Sequence, residues 1–175
     1  NKYGKYNTAI GLNSLNKNLD DFNTAIGYRS LEENTTGKDN IAMGSLALAA
    51  NTIGKNNTSI GNKALSNNTT GVGNIAIGLE SLNFNTTANS NIAIGVNALR
   101  NNDFKSNLVA IGDSALFNNS NFATSGNHAI RNTAIGSKAM FRNETGTDNT
   151  ATGFQAMYNN KVATQHLVPM HSMMQ

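Results

Sequence analysis

Apolar and polar positions follow one another in a short phrase that returns nine times along this chain. Each copy closes on a glycine: Gly11, Gly27, Gly44, Gly61, Gly78, Gly95, Gly112, Gly136 and Gly153. Six of the eight intervals between these glycines are 17 residues. With the glycine as position zero, position −1 is Ile10, Ile26, Met43, Ile60, Ile77, Ile94, Ile111, Ile135 and Thr152. Position −2 is Ala except at Ser59, and position −3 is Thr, Ile or Val. Position +3 is Ser or Ala, position +4 is Leu or Met, and position +7 is Asn in every copy.

The stretch before each glycine is short and β-branched, which predicts a strand of about five residues with −1 and −3 on one face and −2 on the other. The Ala-Leu pair at +3 and +4 predicts a second short strand, and Asn-Thr-Thr-Gly predicts a turn. A glycine between apolar positions and β-branched residues ahead of it disfavour a helix. Two strands and two turns in 17 residues predict an all-β fold, a parallel β-solenoid of about nine coils over residues 1–160. At ~4.8 Å per coil it forms a rod about 40 Å long. Residues 161–175 leave the pattern and read as a cap, a linker or a disordered tail.

Stacking turns each position of the unit into a column. The asparagines at +7, which include Asn34, Asn51, Asn68, Asn85, Asn102, Asn119 and Asn143, are expected to form a ladder of amides bonded above and below. A column of Asp would repel itself. The Ile and Leu columns are expected to fill the coil and the Ala column to face outward, although the alternation leaves the sign of this assignment open. An outward column of small apolar residues predicts a close partner, most simply further copies of the chain about a rotation axis, as in a homotrimer.

Composition narrows the classes. Asn supplies 32 of 175 residues, charged residues are only 13%, and there is a single proline and no cysteine. Such a chain would read as disordered but for the strict phase of Ile and Leu. The net charge of +3 is scattered, with no run of the kind a nucleic-acid binder carries. Without cysteine there is neither a disulfide framework nor a thiolate metal site. No apolar stretch approaches the roughly 18 residues needed to span a membrane, so membrane insertion by this segment is not expected. The start at Asn1, without Met, suggests a processed or excised segment.

Candidate function lies where the repeat breaks. The interval from Gly112 to Gly136 is 24 residues, and the extra residues fall near 120–131, with Phe122, His128 and Arg131. They are expected to leave the rod as a loop, either tolerated or ligand-contacting. At position +5 the last three copies carry Phe117, Phe141 and Tyr158. Stacked, these form an aromatic column that can cover a core edge or a subunit seam, or bind sugar rings. His166 and His171 stand in the tail, which reads as sparse rather than as a metal site. No EF-hand, calcium nonapeptide, phosphate-binding loop, nucleophile elbow or carboxylate pair is present, so neither a cofactor nor an enzyme activity is expected. Sequons such as those at Asn34, Asn68 and Asn85 follow from turn chemistry.

The phrases Asn23-Thr24-Ala25-Ile26-Gly27 and Asn91-Ile92-Ala93-Ile94-Gly95 resemble the head repeat of trimeric autotransporter adhesins. That resemblance implies a left-handed parallel β-roll of three chains that serves in attachment. The longer unit, as in Asn68-Thr69-Thr70-Gly71, is also similar to repeats of phage tail fibres and large-virus surface proteins. The expected function is therefore a non-enzymatic extracellular fibre or adhesin segment, with a host-surface glycan or protein as receptor. The alternative is a tail-fibre shaft or receptor-binding segment of a virion. Ice binding by the Thr rows and a β-helical polysaccharide-degrading enzyme are weaker readings, since the rows are interrupted and no acidic groove is seen.

Overall fold

The computed structural model describes residues 4–119 and 129–160. The chain is all-β: β1 (Thr8–Ile10), β2 (Thr24–Ile26), β3 (Ile41–Met43), β4 (Thr58–Ile60), β5 (Ile75–Ile77), β6 (Ile92–Ile94), β7 (Val109–Ile111), β8 (Asn118–Asn119), β9 (Thr133–Ile135), β10 (Arg142–Asn143), β11 (Thr150–Thr152) and β12 (Asn159–Asn160). The nine copies of the phrase form one parallel nine-stranded sheet, ordered β1-β2-β3-β4-β5-β6-β7-β9-β11, and β12-β10-β8 form a second sheet of three strands. Each phrase lies on its own image one turn away, as where Ala76 pairs with Ala93 and Ile77 with Ile94. The register continues through the long interval, with Ala110 on Ala134 and Ile111 on Ile135. The chain is thus a parallel β-solenoid with about 17 residues per turn.

The inside and outside of the strands are opposite to the expectation. The −2 column is buried, with Ala25, Ala42, Ala76, Ala93, Ala110 and Ala134 fully covered, whereas Ile10, Ile60, Ile111 and Ile135 of the −1 column are exposed. The core consists of the −2 column together with the +3 Ala and +4 Leu columns. Size decides the sign. A coil this narrow holds one large column, supplied by Leu31, Leu48, Leu65, Leu82, Leu99 and Leu116, against two of methyl size, and a second branched column would overfill it. Ser59 is accommodated in the Ala column because its Oγ donates to the Ala64 carbonyl at 2.7 Å.

The second strand expected at +3 and +4 is absent. Residues 44–51 instead form two consecutive turns, closed by Ala47 N–H to Gly44 O at 3.3 Å and Asn51 N–H to Leu48 O at 3.2 Å. Leu31, Leu48, Leu65, Leu82 and Leu99 all have φ near +50°, between 50° and 52°. A left-handed leucine costs roughly 1–2 kcal/mol, which its complete burial offsets. The closing glycines have φ from 124° to 135°, a region that side chains rarely enter, and a Cβ on Gly78 would stand 2.5 Å from the Gly95 carbonyl oxygen of the next coil.

Two asparagine columns hold the coils in register. The +7 ladder runs as expected: Asn51 Nδ2 donates to Asn34 Oδ1 at 2.7 Å, Asn68 to Asn51 at 2.8 Å, Asn85 to Asn68 at 2.8 Å and Asn143 to Asn119 at 2.8 Å. The asparagines at −4 form a second buried column, in which the backbone N–H of Asn57 and of Asn74 each donate to the Oδ1 of the preceding copy at 3.0 Å. Both columns converge on one carbonyl, as where Gly71 O accepts from Asn57 Nδ2 at 2.8 Å and Asn68 Nδ2 at 3.1 Å.

The +7 ladder is interrupted once among the described residues, between Asn85 and Asn102. The column that includes Gly71 continues with Ala88, Lys105 and Ala129. A side chain there does not by itself break the ladder, since Asn119 still donates to Asn102 at 3.2 Å and Asn143 to Asn119 at 2.8 Å. Asn85 Oδ1 is buried without a hydrogen-bond partner, while Asn102 Nδ2 donates to the Lys105 carbonyl at 2.8 Å. Lys105 itself is fully buried, with Nζ 4.6 Å from the Phe104 ring centroid. Desolvation lowers the pKa of its ammonium.

Candidate binding surfaces

The strand face turned away from the core leaves apolar side chains exposed. Positions −1 and −3 of every strand lie on it, and position +1 extends it with Leu12, Tyr28, Leu79, Val96 and Phe154. Exposure is greatest at the two ends, reaching 58% at Ile10 and 72% at Phe154. Exposed charge is sparse on this face: across β2 to β9 the −1 and −3 positions carry only Thr, Ile, Val and Met. The outward apolar column expected of alanine is thus built from the β-branched residues instead.

The aromatic column at +5 stacks as the phase predicts. Phe117 and Phe141 lie with ring centroids 5.1 Å apart and planes 6° from parallel, and Phe141 and Tyr158 repeat this at 5.1 Å and 3°. Arg100 extends the column, its guanidinium carbon 5.8 Å from the Phe117 centroid and 5.0 Å from that of Phe84, while its Nε pairs with Glu80 at 2.7 Å. Rings stacked face to face spend their faces on one another and leave only edges outward. A sugar packs its C–H face on an open ring face, so this half-buried stack is better suited to sealing the edge of the core.

The other candidates divide. Arg131 is exposed, and Asp148 of the next coil holds it in a bidentate pair, Nε to Oδ1 at 2.5 Å and Nη2 to Oδ2 at 2.7 Å. That bond and the carboxylate charge raise its pKa. Phe122 and His128 lie outside the described residues, as do His166, His171 and the rest of 161–175. The sequon asparagines Asn34, Asn68 and Asn85 are fully buried in the ladder, which leaves no room for a glycan on them. The Thr hydroxyls at +8 are turned to internal use, with Thr52 Oγ1 donating to Thr69 O and Thr69 Oγ1 to Thr86 O, both at 3.0 Å. A row committed in this way is poorly placed to order ice.

Among the described residues no three His, Cys, Asp or Glu side chains are grouped to hold a metal ion. Among the described residues no helix is long and apolar enough to cross a membrane. One surface that position-by-position reading missed is a groove on the flank of the rod, where Ala49 and Ala50 occupy +5 and +6. The adjacent alanines at positions otherwise filled by longer side chains are its only signal in the sequence. Comparison of the chain with protein-family models, with curated proteins and with solved structures found no match.

Proposed function

We propose that this chain is a non-enzymatic segment of an extracellular fibre or adhesin, in which three copies pack along their sheet faces and the outer flanks attach to a host or surface. One observation carries the reading: the outer sheet face repeats in phase along the rod and exposes apolar side chains at Ile10, Ile41, Met43, Ile60, Ile111 and Ile135. Monomeric proteins rarely leave such a patch contiguous, and a face that repeats along the rod can meet further copies arranged about an axis parallel to it. The resemblance of the Asn-Thr-Ala-Ile-Gly phrase to adhesin-head repeats supports three as the number of chains. The Asn-Thr-Thr-Gly turns support the second reading, a shaft or receptor-binding segment of a viral or phage tail fibre, which uses the same geometry.

Light scattering is expected to return three times the 18.5 kDa chain mass. The double change Ile77→Asp and Ile94→Asp, on the outer face of β5 and β6, is expected to release folded single chains. A wild-type protein that is folded and monomeric at micromolar concentration would overturn the assembly. Attachment is tested with fluorescently labelled protein on candidate cell surfaces, where saturable retention is expected and its absence contradicts the role.

A further inference from the structure

Two adjoining clefts on the flank share Ala50 and Asn67; the smaller carries the charged residues Arg29, Glu32, Glu33 and Lys63, and the larger holds Phe84 and Asp103. Their floor is the methyl pair Ala49 and Ala50, and Phe84 stands two coils further along the column of Ala50. The larger cleft is an open surface groove of about 620 Å³. Phe84 lines it and is 45% exposed.

The polar lining offers acceptors. Asn67 Nδ2 donates to the Asn83 carbonyl at 3.0 Å, and Asn101 Nδ2 donates to Asn118 Oδ1 at 2.6 Å, so both amides spend donors along the rod. The Asn67 carbonyl oxygen and the Asp103 carboxylate remain, the latter taking one bond from Thr86 Oγ1 at 2.5 Å. No Lys or Arg is part of the lining of the larger cleft; at its edge Arg100 stands over one face of Phe84 and donates to Asn101 Oδ1 at 3.2 Å, and its charge is engaged by Glu80 at 2.7 Å. The complement of this cleft is a molecule rich in hydroxyl donors, without negative charge, and with one apolar face for Phe84 and the alanine floor. A phosphate, sulfate or acidic sugar would meet the Asp103 carboxylate with the nearest cation already paired to Glu80. A lipid chain would bury these acceptors unsatisfied. We infer that this groove binds a neutral saccharide, with a pyranose C–H face toward Phe84 and its hydroxyls donating to Asn67 and Asp103. Ladder bonds hold the amides in place beforehand, which lowers the cost of ordering them on binding.

This inference rests on the attachment reading and names its receptor class. The test uses the full 175-residue protein on an array of neutral oligosaccharides ending in glucose, galactose, mannose or N-acetylglucosamine, beside sialylated and sulfated counterparts. At least one neutral glycan is expected to be retained, with the acidic set excluded. Phe84→Ala removes the ring, and Ala50→Arg fills the groove floor from a half-exposed position. Each is expected to weaken binding at least tenfold with an unchanged circular dichroism spectrum. Retention of no neutral glycan, retention of acidic glycans alone, or binding that survives both changes would overturn the inference. If the protein attaches to cells and both variants attach equally well, the groove assignment fails while the attachment role stands.

Discussion

Replacing Gly78 by alanine is expected to destabilise the rod by about 3–5 kcal/mol. Two costs add. The residue has φ of +128°, where a side chain is strained by about 1–3 kcal/mol. The new Cβ would also lie 2.5 Å from the Gly95 carbonyl oxygen, and that atom cannot retreat without opening the stack. In a one-dimensional array the damage falls on one interface between neighbouring coils. Unfolding in denaturant is then expected to separate into two transitions, one for the coils on each side of Gly78, with hydrogen exchange fastest at the junction. A loss below about 1 kcal/mol would mean that the coils are not stacked as described.

The second large effect is electrostatic. Asn68 is fully buried; its Nδ2 donates to Asn51 Oδ1 at 2.8 Å and Gly71 O at 3.1 Å, and its Oδ1 accepts from Asn85 Nδ2 at 2.8 Å. Asn68→Asp keeps the shape, removes both donors and sets a charge among acceptors. The expected cost at pH 7 is about 3–5 kcal/mol. Burial disfavours the ionised form, so the folded-state pKa of the introduced carboxyl rises above its unfolded value of about 3.9. Between those two values the folded state binds the extra proton, and stability falls as pH rises through the window. The variant is therefore expected to recover part of its loss when moved from pH 7 to pH 4. Asn68→Ala, which carries no charge, should show a loss that does not change with pH. Parallel unfolding curves at the two pH values separate the outcomes.

These two positions also show what could be read from the residues alone. Period and phase were enough to place the nine strands, to align Asn68 with Asn51 and Asn85, and to stack Phe117 on Phe141 and Tyr158, because a column needs only a fixed repeat. The direction each side chain faces was not available from phase. Ile77 is more hydrophobic than Ala76, and hydrophobicity alone puts isoleucine inside; the narrow bore of the coil reverses this, and bore is a property of closure that no single repeat displays. The turn at Leu48 was hidden for a similar reason. Leucine rarely adopts a left-handed backbone, and only its burial under the next coil sustains one. The column at −4 was legible and missed: Asn stands there in every copy except at Leu108, nearly as regularly as at +7. Of the candidate sites, Arg131 was expected in a loop leaving the rod and is paired with Asp148 of the next coil, whereas the groove at Ala50 is marked by what the column lacks.

The most direct test of the central claim, that the isoleucine face of the sheet is covered by other copies of the chain, is disulfide mapping. The chain has no cysteine of its own, so each introduced thiol reports alone. Ile77→Cys, on the outer face of β5, is expected to cross-link chains rapidly under mild oxidation, while Lys55→Cys, in the turn region away from the sheet, stays unlinked. Cross-links through position 55 with none through position 77 would contradict the account.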